Sequence, residues 1–194
     1  MRTAVIKRKT AETDITLTLI LDGMGNFRGT SGIGFFDHML TAWCRHSKFD
    51  VDLNVHGDLE VDGHHTVEDV GLCLGQAFFE ALGDKRGIYR FGSAFVPMDE
   101  SLARAVADIS GRAYFLYDAL LTGSRLGEFD LELVSEFFRA FTQEARLTLH
   151  LKLCYGGNNH HKVEAMFKAC ARALAEAVAA DPREGGIPSS KGVL

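Results

Sequence analysis

Between residues 13 and 22 apolar and polar side chains alternate, with Ile15, Leu17, Leu19 and Leu21 on one face and Thr16 and Thr18 on the other. A period of two predicts a strand with one buried face. Gly23-Met24-Gly25-Asn26 reads as the turn that follows. The apolar segment from Phe35 to about Arg45 has helical length, and Phe49 to Val55 alternates again as a strand. After Gly63 a helix is predicted from His64 to about Leu82, stopped by Gly83 as its C′ residue. The same order then recurs. Residues 101–109 and 112–118 read as strands broken at Gly111. Residues 130–144 read as a helix, with Leu131, Val134, Phe137, Phe138 and Phe141 spaced toward a core. Leu147 to Leu153 alternates as a strand, Tyr155 to Asn159 is a loop, and a helix runs from His160 to about Ala180.

Each half therefore reads strand, strand, short strand, helix, strand, helix. The signature positions are offset by 96 residues at the last helix (His64 to His160) and by 98 at the helix before it (His38 to Glu136). Two copies make a duplication rather than a solenoid. A sheet with one apolar face, covered on that face by amphipathic helices, pairs with its twin through those helices, so helices are expected between two sheets. The boundaries fall at residues 1–90 and 91–180, with 181–194 as a tail; its Gly185-Gly186 and two prolines by themselves read as a frayed terminus, whereas its Ser189-Ser190-Lys191 makes better sense if the tail orders over a bound substrate.

With 194 residues and 21.3 kDa the chain can build one full core or two fused halves. Its net charge of -5 and pI of about 5.9 give no general attraction to nucleic acid or an anionic membrane, so an anionic substrate would need a local basic cluster. No apolar run approaches the ~20 residues of a membrane helix, and the N-terminus lacks the apolar core of a secretory signal. The four cysteines show no CxxC spacing, which fits a reduced, cytoplasmic setting.

The chemistry lies in two matched motifs, Asp62-Gly63-His64-His65-Thr66-Val67-Glu68-Asp69 and Asn158-Asn159-His160-His161-Lys162-Val163-Glu164. Positions four apart share a helix face, so His64 pairs with Glu68 and His160 with Glu164. His65 and His161 are rotated by ~100° and should each address a different metal. With 8 His and 26 acids in the chain, about 0.04 chance occurrences of His-His with an acid four later are expected. Two, at equivalent places of a duplicated frame, point to a divalent cation such as manganese, iron or zinc. His38 and Glu136 occupy parallel positions in the preceding helices and are further candidate ligands. By pseudo-symmetry one site would hold His64, Glu68, His161 and one of that pair, and the other His160, Glu164, His65 and the remaining one.

Together with Gly34-Phe35-Phe36-Asp37-His38-Met39 and Pro188-Ser189-Ser190-Lys191-Gly192-Val193, these motifs resemble the imidazoleglycerol-phosphate dehydratases over nearly the whole chain. The resemblance implies an α/β (α+β) fold of duplicated half-domains, two mixed four-stranded sheets sandwiching a layer of four helices. It also implies two Mn2+ ions per active site and a homo-oligomer of twenty-four chains with sites completed between subunits. No phosphatase domain is expected. Many members carry histidine where Glu136 stands, and a carboxylate there should favour harder cations.

The implied reaction converts imidazoleglycerol phosphate to imidazole acetol phosphate through a metal-stabilised imidazolate and a diazafulvene-like intermediate. Glu12 is the implied general acid/base. Arg90, Arg112, Lys168, Ser189, Ser190 and Lys191 are the implied phosphate-binding set. Asp37, Asp69, Asp99 and Glu100 are candidates to orient metal-bound histidines. Rival readings are a two-metal hydrolase, whose ions would sit ~3.5–4 Å apart, and a metal-storage cage without a phosphate pocket. No aromatic-basic stripe suggests a nucleic-acid partner.

Overall fold

A computed structural model describes all 194 residues. In the first half, strands β1 (Thr3–Lys9), β2 (Thr13–Ile20) and β3 (Phe27–Thr30) precede helix α1 (Gly34–Ser47), strand β4 (Asp50–Gly57) and helix α2 (His64–Leu82). The second half repeats this with β5 (Phe91–Met98), β6 (Ser101–Asp108), β7 (Tyr114–Asp118), α3 (Leu133–Ala145), β10 (Thr148–Tyr155) and α4 (Asn159–Val178). A small hairpin, β8 (Arg125–Leu126) with β9 (Phe129–Asp130), lies between β7 and α3.

The two sheets are copies. Their strand orders are β1-β2-β4-β3 and β5-β6-β10-β7. In both, the last pair is parallel and the others antiparallel, as expected for mixed sheets. Thr3 faces Ile20 in the first and Phe91 faces Asp108 in the second, an offset of 88 residues on both strands. The offset becomes 98 at β4 and β10, where Val51 beside Phe27 matches Leu149 beside Phe115. Ten added residues carrying the hairpin account for the step.

Helices fill the space between the sheets. On the sheet side, α2 packs on β1 and β2, and α4 on β5 and β6; across the halves, α2 meets α3 and α1 meets α4. Small residues set how closely these layers approach. On α2, a Cβ at Gly71 would lie 2.8 Å from the Phe137 carbonyl oxygen, and one at Gly75 would run into that of Phe141. The inner face of β2 is Ile15, Leu17 and Leu19, all fully buried. Phe137 stacks on Phe167 at 5.3 Å, and Phe129 of the hairpin stacks on Phe36 at 6.0 Å, so aromatic packing joins the halves. One cluster of 51 buried residues spans both halves.

Candidate metal centre

Both histidine pairs sit in the first turn of a helix because the residue two before each fixes that turn. The Asp62 carboxylate accepts the His64 backbone N–H at 2.7 Å, and the Asn158 side chain accepts that of His160 at 2.8 Å. Both bonds satisfy an N–H that a helix start leaves free; Asn158 is the N-cap of α4 itself, whereas Asp62 precedes the Gly63 N-cap of α2.

At the corner where α1 meets α4, three donors converge. His38, His160 and Glu164 each offer a ligand atom, all within 4.8 Å of one another. The Glu164 Oε2 atom lies 3.2 Å from His160 Nε2 and 3.5 Å from His38 Nε2. Its Oε1 atom accepts Lys168 Nζ at 2.6 Å. Burial pushes the Glu164 carboxyl up, but the hydrogen bond from Lys168 and the charges of Lys168, His38 and His160 outweigh it and hold the group below the usual carboxylate range. Two imidazoles and an ionised carboxylate facing one point suit a borderline divalent cation.

The corner where α2 meets α3 is built from the equivalent positions and is arranged differently. His64 Nε2 stands 3.7 Å from Glu68 Oε2, and Glu136 stands where the other corner has His38. Arg139, one turn along from Glu136, bridges the carboxylates. Its Nη2 donates to Glu68 Oε1 at 2.8 Å and to Glu136 Oε2, which also accepts Nε at 3.0 Å. The two carboxylates raise the guanidinium pKa, Glu136 more than Glu68.

His65 and His161 point away from both corners. His65 Nδ1 lies 2.9 Å from Asp58, with its Nε2 3.6 Å from Glu12; His161 Nδ1 lies 2.8 Å from Glu100, with its Nε2 3.8 Å from Asp99. Hydrogen bonds to Asp58 and Glu100 raise both imidazole pKa values. Glu100 is itself pushed down by the Asn158 backbone N–H, then by His161. A carboxylate on one ring nitrogen fixes the tautomer and aims the other outward, as for a metal-ligating imidazole. Neither ring is among the three donors that converge at the α1/α4 corner.

Of the four carboxylates expected to orient histidines, Glu100 does so by direct hydrogen bond, and Asp99 lies further off. Asp37 instead accepts Thr30 Oγ1, Ser31 N and Ser31 Oγ, tying the entry loop to α1. Buried Asp69 accepts Thr13 Oγ1 and pairs with Arg8 at 3.0 Å, bracing the strand ends on either side of Glu12. Asp37 is thus taken up by the loop just before its own helix, whereas Asp69 is taken up by side chains far off in the chain. Asp58 and Arg139 escaped sequence reasoning. Arg139 was accessible through its i,i+3 spacing from Glu136, whereas Asp58 lies in a loop with no periodic signal.

The anion-binding candidates split into two groups. Arg90 pairs with Asp108 at 2.7 Å and donates Nη1 to the Pro188 carbonyl at 2.9 Å, placing Ser189, Ser190 and Lys191 next to it in the chain. The tail is docked on the loop before β5: Arg86 and Gly87 donate to the carbonyls of Gly185 and Gly186, and Lys85 Nζ donates to the Leu194 O atom. Leu194 closes on Gly111, beside Arg112, whose guanidinium bonds the Ser110 carbonyl at 3.4 Å. Lys168 belongs elsewhere, on Glu164 and Met98 Sδ. Arg90 and Met98 flank opposite ends of β5, roughly 25 Å apart at the strand rise.

Residues 31–174 match the imidazoleglycerol-phosphate dehydratase family. An imidazoleglycerol-phosphate dehydratase of Lacticaseibacillus casei (strain BL23) is 56% identical over 194 residues, covering 100% of both chains. One from Gluconacetobacter diazotrophicus is 59% identical, covering 100% of this chain and 98% of its own. The crystal structure of the Staphylococcus aureus imidazoleglycerol-phosphate dehydratase superposes with a TM-score of 0.84 at 41% identity, covering 92% of this chain and 99% of that one. A Pyrococcus furiosus structure in complex with (S)-C348 gives a TM-score of 0.83 at 33% identity, covering 97% and 100%.

Proposed function

From the premise that the chain belongs to the imidazoleglycerol-phosphate dehydratase family, hydro-lyases of histidine biosynthesis, we propose that it dehydrates imidazoleglycerol phosphate to imidazole acetol phosphate with the help of manganese. The observation that carries the metal assignment is the convergence of His38, His160 and Glu164. His64, Glu68 and Glu136 would hold the second ion, and His65 and His161 would each complete a site in another copy of the chain. Manganese there would supply Lewis acidity toward the ring nitrogens of the substrate and so favour the anionic ring.

The chain's own groups would do the rest. Hydroxide would leave the side-chain carbon next to the ring, by way of the diazafulvene-like intermediate that the family resemblance implies. A proton lost from the neighbouring carbon gives the enol, and protonation at carbon gives the ketone, so H and OH leave together as water. Glu12, 52% exposed at the β1–β2 turn and 3.6 Å from His65, is the group we assign to carrying that proton. Arg90, Arg112, Ser189, Ser190 and Lys191 would grip the phosphate from one side and Lys168 from the other. The ~25 Å span of β5 keeps these two groups apart within a chain. A complete site therefore draws on more than one copy, which supports a homo-oligomer, twenty-four chains by family resemblance. No helix is long and apolar enough to cross a membrane, and a cytoplasmic setting is proposed.

The test is direct. Manganese-loaded protein incubated with imidazoleglycerol phosphate should yield the ketone, and EDTA should abolish the yield. Folded, metal-loaded protein without turnover would remove the assignment.

A further inference from the structure

The two corners invite a comparison that the family reading does not make. At the α1/α4 corner a cation touches one carboxylate only: Lys168 takes Glu164 Oε1 and leaves Oε2 facing the two imidazoles. At the α2/α3 corner the donor set carries one more negative charge, because Glu136 replaces an imidazole. There the cation sits between the carboxylates, on Glu68 Oε1 and on Glu136 Oε2 through both Nε and Nη2. Paired carboxylates repel, and a planar guanidinium is the side chain best shaped to bridge them. Arg139 is half-exposed, so its head has room to leave.

We infer that Arg139 is a resident counter-cation of the α2/α3 corner, which a metal ion must displace from Glu136 before binding there, so that the two corners load in order, α1/α4 first. The inference rests on the metal reading above and adds a positioning residue to it. A divalent ion entering the α1/α4 corner meets donors already converged. One entering the α2/α3 corner must break charge-assisted hydrogen bonds first, which lowers its apparent affinity. The effect does not require Arg139 to touch substrate.

The experiment is a manganese titration of the full-length apoprotein by calorimetry, with metal content per chain measured by mass spectrometry and folding followed by circular dichroism. Wild-type protein should take two ions per chain in two resolved steps. Arg139→Gln should tighten the second step by about tenfold or more, the scale of a lost charge-assisted hydrogen bond, and leave the first unchanged. Glu136→His, which removes the carboxylate that Arg139 holds most tightly, should also narrow the gap. Should Arg139→Gln fail to fold, Arg139→Lys, which keeps the charge but not the fork, should narrow the gap in part. Two equal steps in wild-type protein would overturn the inference, as would a second step unchanged or lost in the folded Arg139 variant. Wild-type protein that binds no manganese would instead take down the metal reading, and this inference with it.

Discussion

Place the α1/α4 corner beside the α2/α3 corner and the effect of duplication is visible at single side chains. The register of β1 on β2 is that of β5 on β6, and the His-to-Glu spacing is the same in both. What differs is the third donor, His38 against Glu136, and the cation that answers it, Lys168 on α4 against Arg139 on α3. The backbone of a repeat fixes where a side chain stands. Its charge is then free to diverge, provided a neighbour balances it. A pseudo-symmetric fold can thus hold two electrostatically distinct sites.

The largest effect should come from the donors at the better-formed corner. Glu164→Gln should lower turnover by at least ~100-fold, beyond what loss of a residue supporting a metal ligand costs, with one manganese fewer per chain by mass spectrometry. A larger loss from Glu136→Gln than from Glu164→Gln would reverse the ranking of the corners. Next comes the hairpin that only the second half possesses. Phe129→Ala removes a fully buried ring packed on Phe35 and Phe36, and chemical denaturation should show a loss of about 3–5 kcal/mol. A loss near zero would make the hairpin an ornament rather than part of the core.

Gly75→Ala should cost about 1–3 kcal/mol in the same assay, because the added methyl meets the Phe141 carbonyl. The equivalent position on α4, 96 residues on, is already Ala171, so the close crossing belongs to α2 and α3 alone. The smallest effect concerns pH. Burial, then the charges of Lys168, Arg172 and Lys48, hold the His46 pKa below 6.5. The folded state resists protonating it, so stability should be complete above about pH 6.5 and fall as pH drops through the unfolded value. His46→Gln should flatten that slope in thermal melts at pH 5 to 7. Its counterpart 98 residues on is Glu144, so the two halves differ in kind at this position; an unchanged slope would locate the effect elsewhere.

Much of this was legible from the chain alone, and the reasons for the rest are physical. Alternation located β2, β4 and β10 because their inner faces are Ile, Leu and Val. It gave no range for β5, whose inner face is Gly92, Ala94 and Val96, while Phe91 and Phe95 stand exposed. Small residues are needed there because α4 lies against the strand, where a Cβ on Gly92 would strike the Ala173 carbonyl. In β1 the run Lys7-Arg8-Lys9 masks the alternation begun by Ala4 and Ile6. The helix read from residue 130 begins at Leu133, since Phe129 and Asp130 are taken by the hairpin. The paired His and Glu positions were readable because helical spacing is local. The cation beside each was within reach of the same spacing, Arg139 at i,i+3 from Glu136 and Lys168 at i,i+4 from Glu164, but that Arg139 also takes Glu68 depends on how α2 and α3 cross.

The docked tail carries a consequence of its own. Arg86, Gly87 and Arg90 all hold it by peptide oxygens, at Gly185, Gly186 and Pro188. Every residue has such an oxygen, so the mooring does not discriminate among sequences, and anchorage is divorced from chemistry. Ser190 and Lys191, exposed at the surface, can therefore be exchanged one at a time to probe ligand recognition while the segment that bears them stays in its berth.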